Sequence, residues 1–379
     1  MAGTALDSST MRAAVYYGVR DVRIEDIPVP SPGPGQVKIR LAYNGICGSD
    51  LHEYYSASTF TPVEPHPQTG VKIPVILGHE FSGTVVELGE GVEGLQIGER
   101  AALRPTYSCG RCASCQQNRP NICRILAFHG LSADGGGLSE FTVLPADMVH
   151  PLPEEVSLEL GALVEPMAVG HHAVDRSGVG ASDTVVIIGA GPIGIGLWFA
   201  LKARGYDKVI VSEPSAQRRE AVVGLGAPKV IDPRETDLAE TVMEMSDGVG
   251  ASAVFDAAGV GAAISEGVAC LAPRGKVVVV GIHELPFDFN PTSLLLQEVE
   301  IIGSIVYDDD DYDAVIDNMK AGVYDTTGWV EHVSLDDLLA AFDELRHRRK
   351  MKILIDLERT TNGASADAIA RAAPRPYGR

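Results

Sequence analysis

No uncharged apolar run in this chain approaches the roughly 20 residues that a membrane-crossing helix needs, so no membrane partner is expected. Basic charge is scarce: Lys and Arg number 31 against 51 Asp and Glu, a formal net charge of -20. A surface that acidic repels phosphate backbones, which argues against nucleic acid as a partner. The first ten residues are small and polar and lack the apolar core of a secretory signal, so a cytoplasmic location is expected. Cysteine is sparse as well, with 6 in 379 residues, but four of them fall between positions 109 and 123. In a long chain without an export signal, such clustering points to metal rather than to disulfides. What remains is an ordinary globular composition, 45% hydrophobic and 22% charged, long enough for two or three domains.

The first 160 residues read as short strands and turns. Val37, Ile39, Leu41 and Tyr43 alternate with Lys38, Arg40, Ala42 and Asn44, the period of a half-buried strand. Residues 81–88 form another strand, closed by Gly89 and Gly91, and Pro and Gly punctuate the whole region. Residues 59–74 carry Pro62, Pro65, Pro67 and Pro74 with no clear period and read as a long surface loop. From residue 184 the rhythm becomes strand, helix, strand, helix. Short apolar runs at 184–188, 209–212, 230–231, 254–255, 276–280 and 299–305 predict a doubly wound parallel sheet. The pattern breaks at Asp308, Asp309, Asp310 and Asp311. These acids can be read as a cation site or as the solvated start of a helix at 312–321; the helix dipole, which favours acids there, supports the second. The following segment, with a helix at 335–346 and a closing strand at 351–357, is expected to return to the first domain, and 359–379 to be a loose tail.

Gly189-Ala-Gly191-Pro192-Ile193-Gly194 lies between the strand at 184–188 and the helix beginning at Ile193. A glycine pattern of this kind alone says little; between a strand and a helix it acquires a mechanism. Gly189 allows a tight turn, Gly191 lets backbone approach a pyrophosphate, and Gly194 lets the helix pack on the sheet. The helix N-terminus then offers unpaired N–H groups to phosphate. Glu213, at the end of the next strand, is placed to hold ribose hydroxyls and to repel a 2′-phosphate, which favours NAD over NADP. Arg218 and Arg219 stand nearby, either as a solvated helix face or as phosphate contacts.

Cys109, Cys112, Cys115 and Cys123 can close a tetrahedral sulfur shell around Zn2+, leaving no position for water and hence a structural role. Iron–sulfur ligation is the competing use of clustered cysteines, and nothing else here calls for electron transfer. A second set is dispersed: Cys47, His79 with Glu80, and Glu165. Singly, each has an ordinary packing or surface role, and spacing alone does not join them. Together, a thiolate, an imidazole and a carboxylate could hold a zinc with one open position, which acidifies a bound hydroxyl. Cys270 reads as a small buried hydrophobe on a helix.

At these residues the chain resembles the zinc-containing medium-chain dehydrogenase/reductase family, in its sorbitol and butanediol dehydrogenase branch. Gly45-Ile-Cys-Gly-Ser-Asp-Leu-His52, Gly78-His-Glu-Phe-Ser-Gly83, the four-cysteine segment, Val164-Glu-Pro166 and the glycine loop occur in the family's order across residues 12–357. The loop Glu64-Pro-His-Pro-Gln-Thr-Gly70 is most similar to the butanediol dehydrogenases. The resemblance implies an α/β protein: a GroES-like β domain from 1–165 and 306–379, with a zinc lobe at 105–125, and a Rossmann NAD-binding domain at 166–305. It implies a catalytic zinc held by Cys47, His79 and Glu165 in a cleft between the domains, with Glu80 as a fourth ligand or one shell out. Glu165 stands where simple alcohol dehydrogenases carry a second cysteine, which favours polyols and diols. By the same resemblance Ser49 takes the proton from bound alcohol and His52 passes it to solvent through the cofactor ribose. The implied reaction is NAD-dependent oxidation of a small alcohol, (R,R)-2,3-butanediol to acetoin, with sorbitol, another polyol or L-threonine as alternatives. A dimer or tetramer is implied, with the strand at 299–305 as a pairing edge. A zinc-free quinone reductase and a non-catalytic zinc- and nucleotide-binding protein are the readings from other classes.

Overall fold

The computed structural model describes residues 9–56 and 59–358; the expectations for the extreme N-terminus and for the tail at 359–379 lie outside them. No helix among the described residues is long and apolar enough to cross a membrane. The chain forms two compact units.

The first unit takes Met1–Gln116, Cys123–Leu163 and Glu331–Arg379. Its main sheet has seven strands and centres on Gln36–Gly45, which pairs antiparallel with Glu80–Leu88, Phe141–Pro145 and Lys352–Asp356. The predicted alternation holds through Val37, Ile39 and Leu41, all buried, and then slips. A register shift between Leu41 and Tyr43 turns Ala42 and Asn44 inward and leaves Tyr43 half-buried. A one-residue shift moves every later side chain to the other face, so the expected inward Tyr43 is corrected by the bulge. The loop at 59–74 has no helix or strand, as expected, but it is not merely a surface loop. Glu53, fully buried on the helix Gly48–Tyr55, accepts the N–H groups of Thr59, Phe60 and Thr61 at 2.8–3.2 Å, so the loop's entry is tied down by one carboxylate.

The second unit takes Gln117–Ile122 and Val164–Val330. Its six strands are all parallel, in the spatial order Lys229–Ile231, Val209–Ser212, Val185–Ile188, Ala251–Asp256, Leu271–Val279, Glu300–Gly303. This is the doubly wound arrangement read from the sequence. Val185, Val186, Ile187, Ile210 and Val254 are fully buried, as strands covered by helices on both faces must be. Each such side chain contributes about 1.5–3 kcal/mol on burial. Strand order reverses between Val185–Ile188 and Ala251–Asp256, and the crevice at that switch is where open α/β sheets bind ligands.

The return to the first unit comes at residue 331, not at 306. Residues 306–330 stay with the second unit because the helix Asp309–Lys320 packs on the helix Val164–Ser177. Polar contacts fasten that packing: the Asp311 carboxylate receives His171 Nδ1 at 3.1 Å and His172 Nδ1 at 2.7 Å.

Candidate active site and metal centres

The four cysteines of the first unit converge. Cys112 Sγ lies 3.5 Å from Cys115 Sγ and 4.0 Å from Cys123 Sγ, and Cys109 Sγ lies 4.0 Å from Cys115 Sγ. All four sulfurs fall within 4.8 Å of one another, and none is in a disulfide. Zinc–sulfur bonds of about 2.3 Å in a tetrahedron put neighbouring sulfurs about 3.8 Å apart, so this set fits the ion. Backbone N–H groups of Cys109 and Cys112 point at the Sγ atoms of Cys123 and Cys109, each at 3.3 Å. Backbone donors at Arg124 and Cys115 hold the Cys112 thiol down at about 6, the direction that favours a metal-binding thiolate.

Cys47 precedes the helix Gly48–Tyr55 as its N-cap, and its N–H donates to Asp50 Oδ2 at 2.9 Å, which fixes the start of the helix beside the sheet. His79 immediately precedes the strand Glu80–Leu88 and is 5% exposed. Its Nε2 lies 3.0 Å from Ser49 Oγ, while its buried Nδ1 faces Asp50 Oδ1 as an ion pair at 3.5 Å. Burial opposes charge on this imidazole, but Asp50 and Cys47 beside it more than offset the burial and raise its pKa well above the ordinary value. Asp50 holds the Nδ1 side of the ring, so Nε2, on the side of Ser49, is the nitrogen left to join the neighbouring Cys47 thiol in a donor set that a zinc ion fits. Ser49 and His52 share the helix three residues apart and so face the same side. His52 Nε2 lies 3.0 Å from Thr59 Oγ1.

Glu80 is turned to a different partner. It is 1% exposed and forms a buried ion pair with Lys352, which is also 1% exposed and whose Nζ donates to Ile46 O at 3.0 Å. Lys352, missed from the sequence, opens the strand Lys352–Asp356; its only sequence signal is a lysine at the head of an apolar strand.

In the second unit, Glu165 lies in the first turn of the helix Val164–Ser177, 7% exposed, and accepts from the Tyr307 hydroxyl at 2.9 Å. The glycine loop has the expected form. Gly189 has φ +100, a conformation open to glycine, and a β-carbon on Gly194 would run into the Gly189 carbonyl. Gly191 caps the helix Pro192–Ala203, with Pro192 in its first turn and Ile193 after it. Glu213 is 4% exposed; its Oε2 accepts from Ala190 N at 2.8 Å and its Oε1 from Ser215 N at 2.8 Å. This acid therefore braces the loop, with lone pairs still available for a diol. Arg218 reaches the loop, its guanidinium 3.7 Å from where a β-carbon on Gly191 would lie. Arg219 is no solvated face: it pairs with Asp232 at 2.9 Å and donates to the Glu213 and Pro214 carbonyls. At the far side of the strand-order reversal, Asp256, fully buried, takes His283 Nε2 at 2.7 Å and the N–H groups of Ala258 and Gly259, a pair that sequence reading missed.

The aspartate run is corrected in part. Asp308 caps its helix, as the dipole argument required, but Asp311 is buried rather than solvated. His171 with Asp175 and Asp311, and His172 with Asp308 and Asp311, bring ligand atoms within 4.8 Å. Arg204 donates to His171 Nε2 at 2.8 Å and Asn121 to His172 Nε2 at 3.2 Å, so both Nδ1 atoms carry the protons that Asp311 receives. With those protons in place, and at the positive end of a helix, the Asp311 carboxylate is satisfied without a cation. Cys270 ends the helix Gly261–Cys270 as a buried thiol, pushed up to about 12 by burial.

Comparison with known proteins gives matches to both units. Residues 33–154 match the alcohol dehydrogenase GroES-like domain family, and residues 192–321 the zinc-binding dehydrogenase family. An (R,R)-butanediol dehydrogenase of Neisseria gonorrhoeae is 35% identical over 91% of this chain and 98% of its own length. A sorbitol dehydrogenase of Halalkalibacterium halodurans is 35% identical over 78% of this chain and 84% of its own. Among solved structures, the 2R,3R-butanediol dehydrogenase of Bacillus subtilis superposes with a TM-score of 0.85 at 37% identity, covering 92% of this chain and 99% of that one.

Proposed function

Because the chain belongs to the zinc-containing medium-chain alcohol dehydrogenases, in the butanediol and sorbitol branch, we propose that it oxidises (R,R)-2,3-butanediol to acetoin with NAD. One observation carries the chemistry: His79, buried with its Nδ1 held by Asp50, stands beside Cys47 and turns its Nε2 to Ser49, on the helix that Cys47 caps and that also bears His52. In this reading Cys47, His79 and Glu165 hold the catalytic zinc, and Cys109, Cys112, Cys115 and Cys123 hold a structural one. Glu80 keeps Lys352 as its partner and stands one shell out. Zinc at the first set supplies a Lewis acid that lets an alcohol lose its hydroxyl proton near neutral pH. NAD supplies the hydride acceptor.

The remaining work falls to the chain's own side chains. Ser49 Oγ takes the alcohol proton as it passes its own hydroxyl proton on towards His52, one turn along the same helix, which delivers it to water. The loop Gly189–Gly194 and the N-terminus of the helix Pro192–Ala203 bind the pyrophosphate, with Arg218 over the loop as a further phosphate contact. Glu213 receives the adenosine ribose hydroxyls and disfavours a 2′-phosphate. The substrate is a small alcohol in cytosol. The edge strand Glu300–Gly303, with Leu295, Leu296 and Ile305 exposed nearby, pairs with a second copy to form a homo-oligomer.

The experiment is NADH formation from a panel of (R,R)-2,3-butanediol, its stereoisomers, sorbitol and L-threonine, with NADP as a control. Turnover highest on the (R,R)-diol supports the proposal. Turnover on sorbitol with none on butanediol or acetoin moves the chain to the polyol reading, which the sorbitol dehydrogenase likeness favours next.

A further inference from the structure

Tyr307 is 2% exposed, and its hydroxyl donates to Glu165 Oε1 at 2.9 Å. Its ring meets Tyr312 at 5.4 Å between centroids, so hydroxyl and ring are held separately. Two unusual neighbours aim it. Val306, just before it, has φ 57, a left-handed backbone that β-branched residues rarely adopt and that persists only where the surroundings enforce it. Asp308, just after it, caps the helix Asp309–Lys320, and Asp308 N donates to Asp311 Oδ2 at 2.8 Å. The same Asp311 carboxylate receives His171 and His172, which ride the helix of Glu165 about two turns further on. The segment 307–311 is therefore tied to the helix Val164–Ser177 twice within one unit, by Tyr307 on Glu165 and by Asp311 on the histidine pair. His171 and His172 are locked from behind by Arg204 and Asn121, so neither ring can turn away without breaking a second bond.

We propose that Tyr307 is the positioning residue of Glu165: its hydroxyl fixes the carboxylate's orientation, and the His171–Asp311–His172 junction keeps that hydroxyl within reach. This rests on the reading that Glu165 serves the catalytic zinc. Outer partners that orient a metal-binding carboxylate change metal affinity typically by 10–100-fold when removed.

The test is zinc transfer from the zinc-replete enzyme to a chromogenic chelator, which separates two pools of ion by affinity, with circular dichroism to follow the fold. Tyr307→Phe keeps the ring against Tyr312 and removes only the hydroxyl. It is expected to weaken one pool by about 10–100-fold and leave the other unmoved. Glu165→Gln is run beside it. If Glu165→Gln moves neither pool, Glu165 does not serve the zinc and the underlying reading falls. If Glu165→Gln moves one pool and Tyr307→Phe moves neither, the positioning role is overturned while that reading stands. A Tyr307→Phe change that weakens both pools alike, or that lowers the thermal midpoint without touching either, also overturns it, since that is general loosening.

Discussion

Replacing Lys352 with methionine removes one charge and keeps most of the side chain's volume. What it leaves behind is the Glu80 carboxylate, 1% exposed, without its ammonium partner, and the Ile46 carbonyl without a donor it had at 3.0 Å. Breaking a buried pair from one side costs about 3–5 kcal/mol, because the surviving charge must be stripped of water with nothing to offset it. Removing both charges is far milder: Lys352→Met with Glu80→Gln is expected within ~1–2 kcal/mol of the parent. The assay is urea unfolding of the zinc-replete protein for parent, both single variants and the double, which isolates the coupling. Should Lys352→Met fall within about 1 kcal/mol of the parent, Glu80 has another partner in the folded protein. A bound zinc would be the obvious one, and the placement of Glu80 one shell out would fail.

Other consequences are as concrete. Cys112→Ser should leave about one zinc per chain in place of about two, by elemental analysis, with a lowered thermal midpoint, since a structural site contributes folding energy outright. Burial pushes the His129 imidazole down to about 3, between Tyr107 and Thr142, while the unfolded chain titrates near 6.5. Below pH 6.5 only the unfolded state takes up that proton, so stability falls as pH drops from there towards 3. The loss at pH 5 is about 2 kcal/mol, read as a shallower pH dependence of urea unfolding in His129→Gln. Glu213→Ala should raise the ratio of NADP to NAD turnover, because it removes the negative charge facing a 2′-phosphate while Arg218 remains; an unchanged ratio contradicts that role.

How far the sequence reaches depends on the range of the signal. The parallel sheet was legible because Val185–Ile188 and its neighbours are buried on both faces and must be apolar throughout. The cysteine lobe was legible because its ligands lie within 14 residues, and the glycine loop because its turn, helix start and acid are local in sequence. The partner of Glu80 was not, since Lys352 is 272 positions away and no local pattern encodes that pairing. The aspartates at 308–311 announced a helix start correctly. A cap says nothing about which unit the helix packs against, so the break in pattern at 306 does not mark the return to the first unit, which comes at 331. The orientation of Tyr43 is hidden from the sequence for a similar reason: a bulge between Leu41 and Tyr43 changes which side chains face inward without changing their composition.

The central claim is that Cys47 helps to hold a zinc ion without which no hydride moves. Zinc content and NADH formation measured together on Cys47→Ala test it most directly. The account predicts about one zinc per chain, an unchanged circular dichroism spectrum and no turnover on the diol. A folded variant that keeps about two zinc ions per chain and still reduces NAD would contradict it.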